Sequence, residues 1–360
     1  MMFDGNSMDC HRLQESLRKL LEERGLDQHR VQDVMDSGYF LRDWIDPFSR
    51  KTWTTVSDLM YGNKQFSSSF PTDEFITYVN GKNTFPPVPE FVQHIARSKA
   101  DIENILSDQR RAHYIKDGTL TFRGQTRQHT FKRKIPNPVR ASSSGAEISV
   151  FPGIYRQNAA TYSFATPIEE KRTLQFLLHK LEPGNPEVYL DSAYAYDVMR
   201  TEQHYATQTR GLDVAFDIDI AIFFATHRYE RGDSNKARYV RVRSGDHTGV
   251  IYCFRFTNPT VKRTEFLVQD FDLFKTYRPE RILRQQCGLP LIGDYERNIA
   301  LPDIDCIIWL DKDFDCQDAH DPAHLFPPGS EDPFYARLLE LKDQYPDELA
   351  NIVEYEWARR

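Results

Sequence analysis

The run from Gln203 to Asp213 sets an amide, an imidazole, a phenol, hydroxyls, a guanidinium and a carboxylate directly before the apolar segment Asp217–Ala225. Gln203, His204 and Tyr205 are groups that hold ribose hydroxyls and lie against a flat ring. Arg210 and Asp213 read as an ion pair or network holding the turn into the next helix, with Asp213 as a catalytic base the alternative. A second set is Arg123-Gly124, where a forked cation stands beside backbone that a phosphate or carboxylate can approach. Its alternative is an arginine in an ion pair and a glycine in a tight turn. The third set, Arg281 to Gly288, brings two amides, Gln285 and Gln286, to a Cys-Gly turn. Cys287 as a nucleophile lacks any surrounding Cys-His signature.

The elements that must hold these groups follow from pattern. Thr119–Phe122 reads as a short strand ending at Arg123, and Phe216–Tyr229 as a helix capped by Asp217. Ile148–Phe151, Val250–Phe256 and Ile304–Leu310 read as strands, the last buried on both faces. Glu169–Leu181 reads as a helix. Upstream, Leu13, Leu17, Leu20 and Leu21 mark an amphipathic helix over Asp9–Arg24, and Phe91, Val92, Ile95, Ile102 and Ile105 mark one face of another. Pro333–Glu356 forms a charged terminal helical tail. The expected organisation is a helical accessory region over 1–90, a mixed α/β domain over 91–310 and an acidic helical tail over 311–360.

Composition narrows the class. Of 360 residues, 40% are hydrophobic and 13% aromatic, enough for a packed core. No apolar run approaches the roughly 20 residues that span a bilayer, and the first residues carry no apolar signal core. A cytoplasmic protein with no membrane partner is therefore expected. The five cysteines include no C-x-x-C pair, and Cys253 and Cys306 fall inside apolar strands as small buried hydrophobes. Cys316, His320 and His324 offer ligand atoms, but Pro322 breaks any shared helix face, so no metal is expected. The net charge of −7 argues against a general nucleic-acid binder. Locally, Arg123, Arg127, Lys132, Arg133, Lys134 and Arg140 form an acid-free basic segment, and Lys236, Arg238, Arg241 and Arg243 form a second cluster. Each is either a solvated face or a patch that meets a polyphosphate, RNA or DNA.

Four segments in order carry a resemblance: Phe122-Arg123-Gly124-Gln125, Pro152-Gly153-Ile154-Tyr155-Arg156, the block from Gln203 to Ala225, and Arg284-Gln285-Gln286-Cys287-Gly288. Together, over roughly residues 110–310, the chain resembles the FRG domain, named for its Phe-Arg-Gly motif. It departs from that family's pattern at Ala206-Thr207-Gln208, where Gly-Leu-Pro is usual, and at Gly211-Leu212-Asp213-Val214-Ala215, where Leu-Leu-Asp-Trp-Thr is usual.

The Arg-Gly at the end of an early strand also looks like the first NAD-contacting motif of ADP-ribosyltransferases of the arginine-starting class. That resemblance implies an α+β fold with a mixed split-sheet core, a helical N-terminal region and a C-terminal helix. It implies NAD as co-substrate. Arg123 would bind the phosphates or ribose, and Gly124 would bring its backbone to the nicotinamide amide. Gln125 and Gln203 would also contact the cofactor, His204 and Tyr205 would hold the ribose or ring, and Gln285 or Gln286 would stand near the usual glutamate. Gln cannot supply the negative charge that stabilises an oxocarbenium-like transition state. Either another acid, such as Asp213 or Glu280, contributes, or the domain binds a nucleotide without turnover. The implied protein is an effector or toxin of bacterial conflict that transfers ADP-ribose to a nucleic acid or protein. Its rivals are a non-catalytic nucleotide-sensing or partner-binding module, with the N-terminal helices as a surface for a protein regulator, and a nuclease, which lacks clustered carboxylates.

Overall fold

The computed structural model describes residues 7–45, 48–62, 68–82, 85, 91–166, 168, 170–184, 193–232, 235–256, 271–290, 297–298, 300–315 and 320–356. The architecture is mixed α+β, organised on a six-stranded sheet. Its order runs Cys287–Gly288, Val214–Ala215, Leu120–Gln125, Val250–Arg255, Ile304–Leu310, Val92–Ala96. Neighbours are antiparallel except for the last pair, which is parallel.

Alternation along the central strands produces two cores. Phe122, Ile251, Cys253, Cys306 and Ile308 point to one face, where the helix Ile218–Thr226 covers them with Ala221, Ile222 and Ala225. Val250, Tyr252, Phe254 and Ile307 point to the other, against Phe151, Tyr155 and Leu212. Cys253 and Cys306 are buried, as their apolar surroundings imply.

The helix Ile218–Thr226 comes unusually close to the strand Leu120–Gln125. A Cβ placed on Gly124 would stand 1.8 Å from the Ala221 carbonyl oxygen. Glycine is thus required by helix-on-strand packing, whatever else approaches it. Asp217 caps this helix, accepting from Asp219 N at 2.9 Å. The helix is shorter than its sequence pattern suggests, because His227–Arg231 turns into a strand paired antiparallel with Lys236–Arg241.

Two N-terminal expectations are corrected. The stretch Phe91–Ile105 is not one helix: Val92–Ala96 is an edge strand, and the helix Lys99–Leu106 starts only after Ser98, whose side chain accepts from Asp101 N. Apolar residues shared between a strand and a following helix mimic a single helical face. Nor is the region before residue 90 only helical. Besides Ser7–Glu23, Gln28–Asp36 and Thr72–Val79, it carries a three-stranded antiparallel sheet of Tyr39–Ile45, Thr52–Asp58 and Ser69–Pro71. This unit has its own core around Tyr39, Val56, Phe70 and Phe75.

A buried network fastens that unit to the two-stranded sheet of Thr130–Lys132 and Ala146–Ile148. Arg133 is wholly buried and donates to Asp58 (2.7 Å) and Glu147 (2.8 Å), while Tyr61 donates to Glu147 and Asn137 to Asp58. The basic segment Arg123–Arg140 is therefore no continuous surface. Arg133 lies inside, Lys134 pairs with Asp33 and Asp36, and Arg140 lies half-buried over the Tyr61 ring. Arg127 and Lys132 remain exposed. In the second cluster, Lys236 and Arg238 pair with Glu356 and Glu230.

The helix Thr173–Leu181 begins after Glu169, which lies outside the described residues; the Glu202 carboxylate caps it, accepting from Thr173 N and Leu174 N. The helix Pro333–Gln344 buries Phe334, Tyr335, Leu338 and Leu341 against Leu174, Leu177, Tyr205 and Ile282. After it, Glu354–Tyr355 adds a parallel strand beside Lys236–Ala237. The C-terminal segment is thus part of the fold's core. Among the described residues, no helix is long and apolar enough to cross a membrane.

Candidate functional site: a cleft with a cationic end and an aromatic wall

The strand Val214–Ala215 meets the strand Leu120–Gln125 at one position, Phe122 opposite Ala215. Beyond it a cleft of about 270 Å³ opens, lined by Arg123, Gly124, Gln125, Asp213 and Gln285 among others. The Arg123 side chain lies on the sheet face of its register partner Tyr252, and its Nη1 donates to the Asp213 carbonyl oxygen. Its Nε is buried without a hydrogen-bond partner. Burial pulls the Arg123 pKa down, with Asp213 opposing.

Arg156 enters the same cleft from the end of the short 3-10 turn Gly153–Tyr155. Gly153 lies so close to Gln208 that a Cβ there would stand 2.9 Å from the amide carbon, which ties this turn to the polar block. Desolvation in the cleft and the charge of Arg123 lower Arg156 to about 10. Neither arginine has a carboxylate ion-pair partner among the described residues. His129 stands beside them. Burial, with the charges of Arg156, Arg127 and Arg123, lowers its pKa to about 4, so at neutral pH its ring is uncharged.

Phe224, His227, Tyr229 and Tyr239 also line the cleft. His227 stacks on Phe223, 4.3 Å between centroids, and its Nδ1 lies 3.1 Å from the Phe223 carbonyl. A carbonyl only accepts, so Nδ1 carries the proton. Burial lowers His227 to about 4, against that hydrogen bond. Tyr239 is itself stacked on Phe326 at 4.5 Å.

The residues expected from sequence divide. Arg123, Gly124 and Gln125 line the cleft, and the Gln125 Oε1 is buried there without a partner. His204 lies behind Asp213, its Nε2 3.5 Å from Asp213 Oδ1 and its side chain 5% exposed. Burial lowers its pKa, with Asp213 opposing. Tyr205 does not line the cleft. It is 4% exposed, donates to Asp332 at 2.6 Å, accepts from Arg281 N, and lies under the Arg281 guanidinium at 4.4 Å. Gln203 is spent locally, its Oε1 accepting from Thr209 N and Thr209 Oγ1. Gln286 has a left-handed φ of 40° and donates to Asp217, whereas its neighbour Gln285 reaches the cleft. Arg210 pairs with Glu170 at 2.9 Å, where the sequence suggested Asp213.

Sequence reasoning did not select Arg156, His129 or the wall of His227, Tyr229 and Tyr239. Arg156 closes one of the four segments that carry the resemblance, and His129 lies within the basic run, so their types were visible though their convergence was not. His204 Nε2, an Asp213 oxygen and Cys287 Sγ lie within 4.8 Å of one another. Cys316, the cysteine proposed beside His320 and His324, is outside the described residues; the two rings stack at 5.0 Å. No protein-family model matches this chain, and no match to it was found among curated proteins or solved structures.

Proposed function

We propose that this cleft takes NAD and that the protein is an ADP-ribosyltransferase-like effector or toxin. The reading is carried by one observation: two guanidiniums without carboxylate ion-pair partners among the described residues, Arg123 and Arg156, enter a cavity also lined by the rings of Phe224, Tyr229 and Tyr239. A pyrophosphate fits the first and a flat heterocycle the second. About 270 Å³ is near the lower end of the roughly 300–1,000 Å³ usual for ligand pockets, enough for one half of a dinucleotide, with the rest across the open mouth. The resemblance to the FRG domain and to an ADP-ribosyltransferase core, with strands parting beyond Phe122 as the split, is part of the same proposal.

In this reaction the nicotinamide–ribose bond breaks, nicotinamide leaves with the bonding electrons, and an acceptor nucleophile attacks the ribose carbon and loses its proton. Arg123 and Arg156 hold the phosphates, and the aromatic wall holds a ring. Asp213 supplies the carboxylate that faces the developing positive charge, since Gln285 cannot. The cellular acceptor, nucleic acid or protein, is read by following labelled ADP-ribose into separated RNA, DNA and protein pools.

Arg123→Ala is expected to abolish nicotinamide release while the thermal unfolding midpoint stays close to the wild type's. Removing one charge-assisted hydrogen bond weakens NAD binding by about 1.5–3 kcal/mol, on the order of tenfold to a hundredfold. Unchanged turnover in that variant ends the proposal. The neutral amide of Gln285 favours one second reading, a nucleotide-sensing module. NAD binding that Arg123→Ala weakens, with no nicotinamide released by the wild type, selects it.

A further inference from the structure

The trio behind the cleft suggests more than a scaffold. His204 ends the helix Ala193–Tyr205, Asp213 precedes the strand Val214–Ala215, and Cys287 pairs with Ala215 from the next strand. The His204 Nε2 is buried without a hydrogen-bond partner and stands 3.5 Å from Asp213 Oδ1. The Cys287 sulfur lies within 4.8 Å of the ligand atoms that His204 and Asp213 offer.

We propose that His204 Nε2, Asp213 and Cys287 Sγ bind a divalent transition metal, zinc by ligand type, and that its fourth position opens toward the cleft through Asp213. A cation between that nitrogen and the carboxylate gives the orphaned Nε2 a partner. A nitrogen, a carboxylate oxygen and a thiolate are a borderline-soft set that suits zinc. In a tetrahedral zinc site, bonds of roughly 2.0–2.3 Å place ligand atoms about 3.3–3.8 Å apart. The 3.5 Å His–Asp separation already meets this, and the widest separation of 4.8 Å requires a shift of about 1 Å. Binding releases the Cys287 thiol proton to solvent as the sulfur–metal bond forms. Asp213 is the partly exposed member of the set, 27% accessible, and also lines the cleft.

A proton shared between His204 Nε2 and Asp213 would also give that nitrogen a partner, but it gives the Cys287 sulfur no part. The experiment turns on that sulfur. The full chain, stripped with chelator and dialysed, is titrated with cobalt(II) alone as a spectroscopic stand-in for zinc. One equivalent is expected to bind, with visible bands of a tetrahedral ion and a near-ultraviolet sulfur-to-cobalt charge-transfer band. Cys287→Ser is expected to lose the charge-transfer band. Asp213→Asn, away from the core, keeps it and weakens binding at least tenfold. A Cys10→Ser, Cys316→Ser variant keeps the wild-type spectrum. No charge-transfer band in the folded wild-type chain overturns the site, as does a band that Cys287→Ser leaves unchanged. Should Cys287→Ser fail to fold, Asp213→Asn decides: unchanged affinity overturns the site, and a tenfold loss supports it. The proposal does not rest on NAD, and a metal held by Asp213 replaces that residue's role as the free carboxylate in ADP-ribose transfer; nicotinamide release and the cobalt spectrum are read separately.

Discussion

Two histidines in the cleft are held neutral by their surroundings. His227 is the more informative, because its environment is the more enclosed. Its folded pKa of about 4 lies well below the unfolded value of roughly 6.5, so the native state binds fewer protons. The contribution to stability is complete above about pH 6.5 and is lost as pH falls through the interval down to about 4. His227→Phe keeps a ring against Phe223 but has nothing to protonate. Its unfolding midpoint is expected to fall less steeply than the wild type's between pH 7 and pH 5 in thermal melts. Equal slopes would show that the ring takes up its proton equally in the folded and unfolded states. The arginines of the cleft were legible as residues, since Arg123 and Arg156 close short motifs. Tyr205 was misplaced because a phenol beside a histidine gives no sign of which way a helix end turns. In the fold it meets Asp332, from a segment beyond any local pattern.

At the level of elements, local periodicity located the strands Val250–Arg255 and Ile304–Leu310 and the helix Ile218–Thr226. It failed where apolar residues of a strand and a helix lie in sequence, at Val92–Ala96 and Lys99–Leu106. It also could not reveal what joins elements. Arg133 looked like one more solvated cation, because its partners Asp58 and Glu147 both lie outside the basic run. Replacing a buried ion-paired group leaves its partners charged and unpaired, at a cost of about 3–5 kcal/mol. Arg133→Met is therefore expected to lower stability by about that amount in denaturant titrations. The same variant should open the linkage between the N-terminal unit and the two-stranded sheet, giving early tryptic cleavage between them. A loss below about 1 kcal/mol would mean the network is replaceable by packing.

Across the whole molecule, the chain's end and the cleft share one stack of rings. Arg281 lies 4.8 Å from the ring centroids of both Tyr335 and Tyr355, and 5.4 Å from that of Phe326. Phe326 and Tyr355 in turn flank Tyr239, which is also a wall of the cavity. The acidic C-terminal segment therefore sets the position of a surface on which a ligand would lie, and its charge is incidental to that work. On the proposed reading, a molecule filling the cleft is expected to rigidify Tyr239 and, through its stacking on Tyr355, the strand Glu354–Tyr355. Saturating NAD is expected to slow carboxypeptidase trimming and hydrogen exchange at residues 352–356, and Arg123→Ala to remove that protection. The terminus would then serve as a gauge of occupancy, readable from outside the molecule without following any reaction.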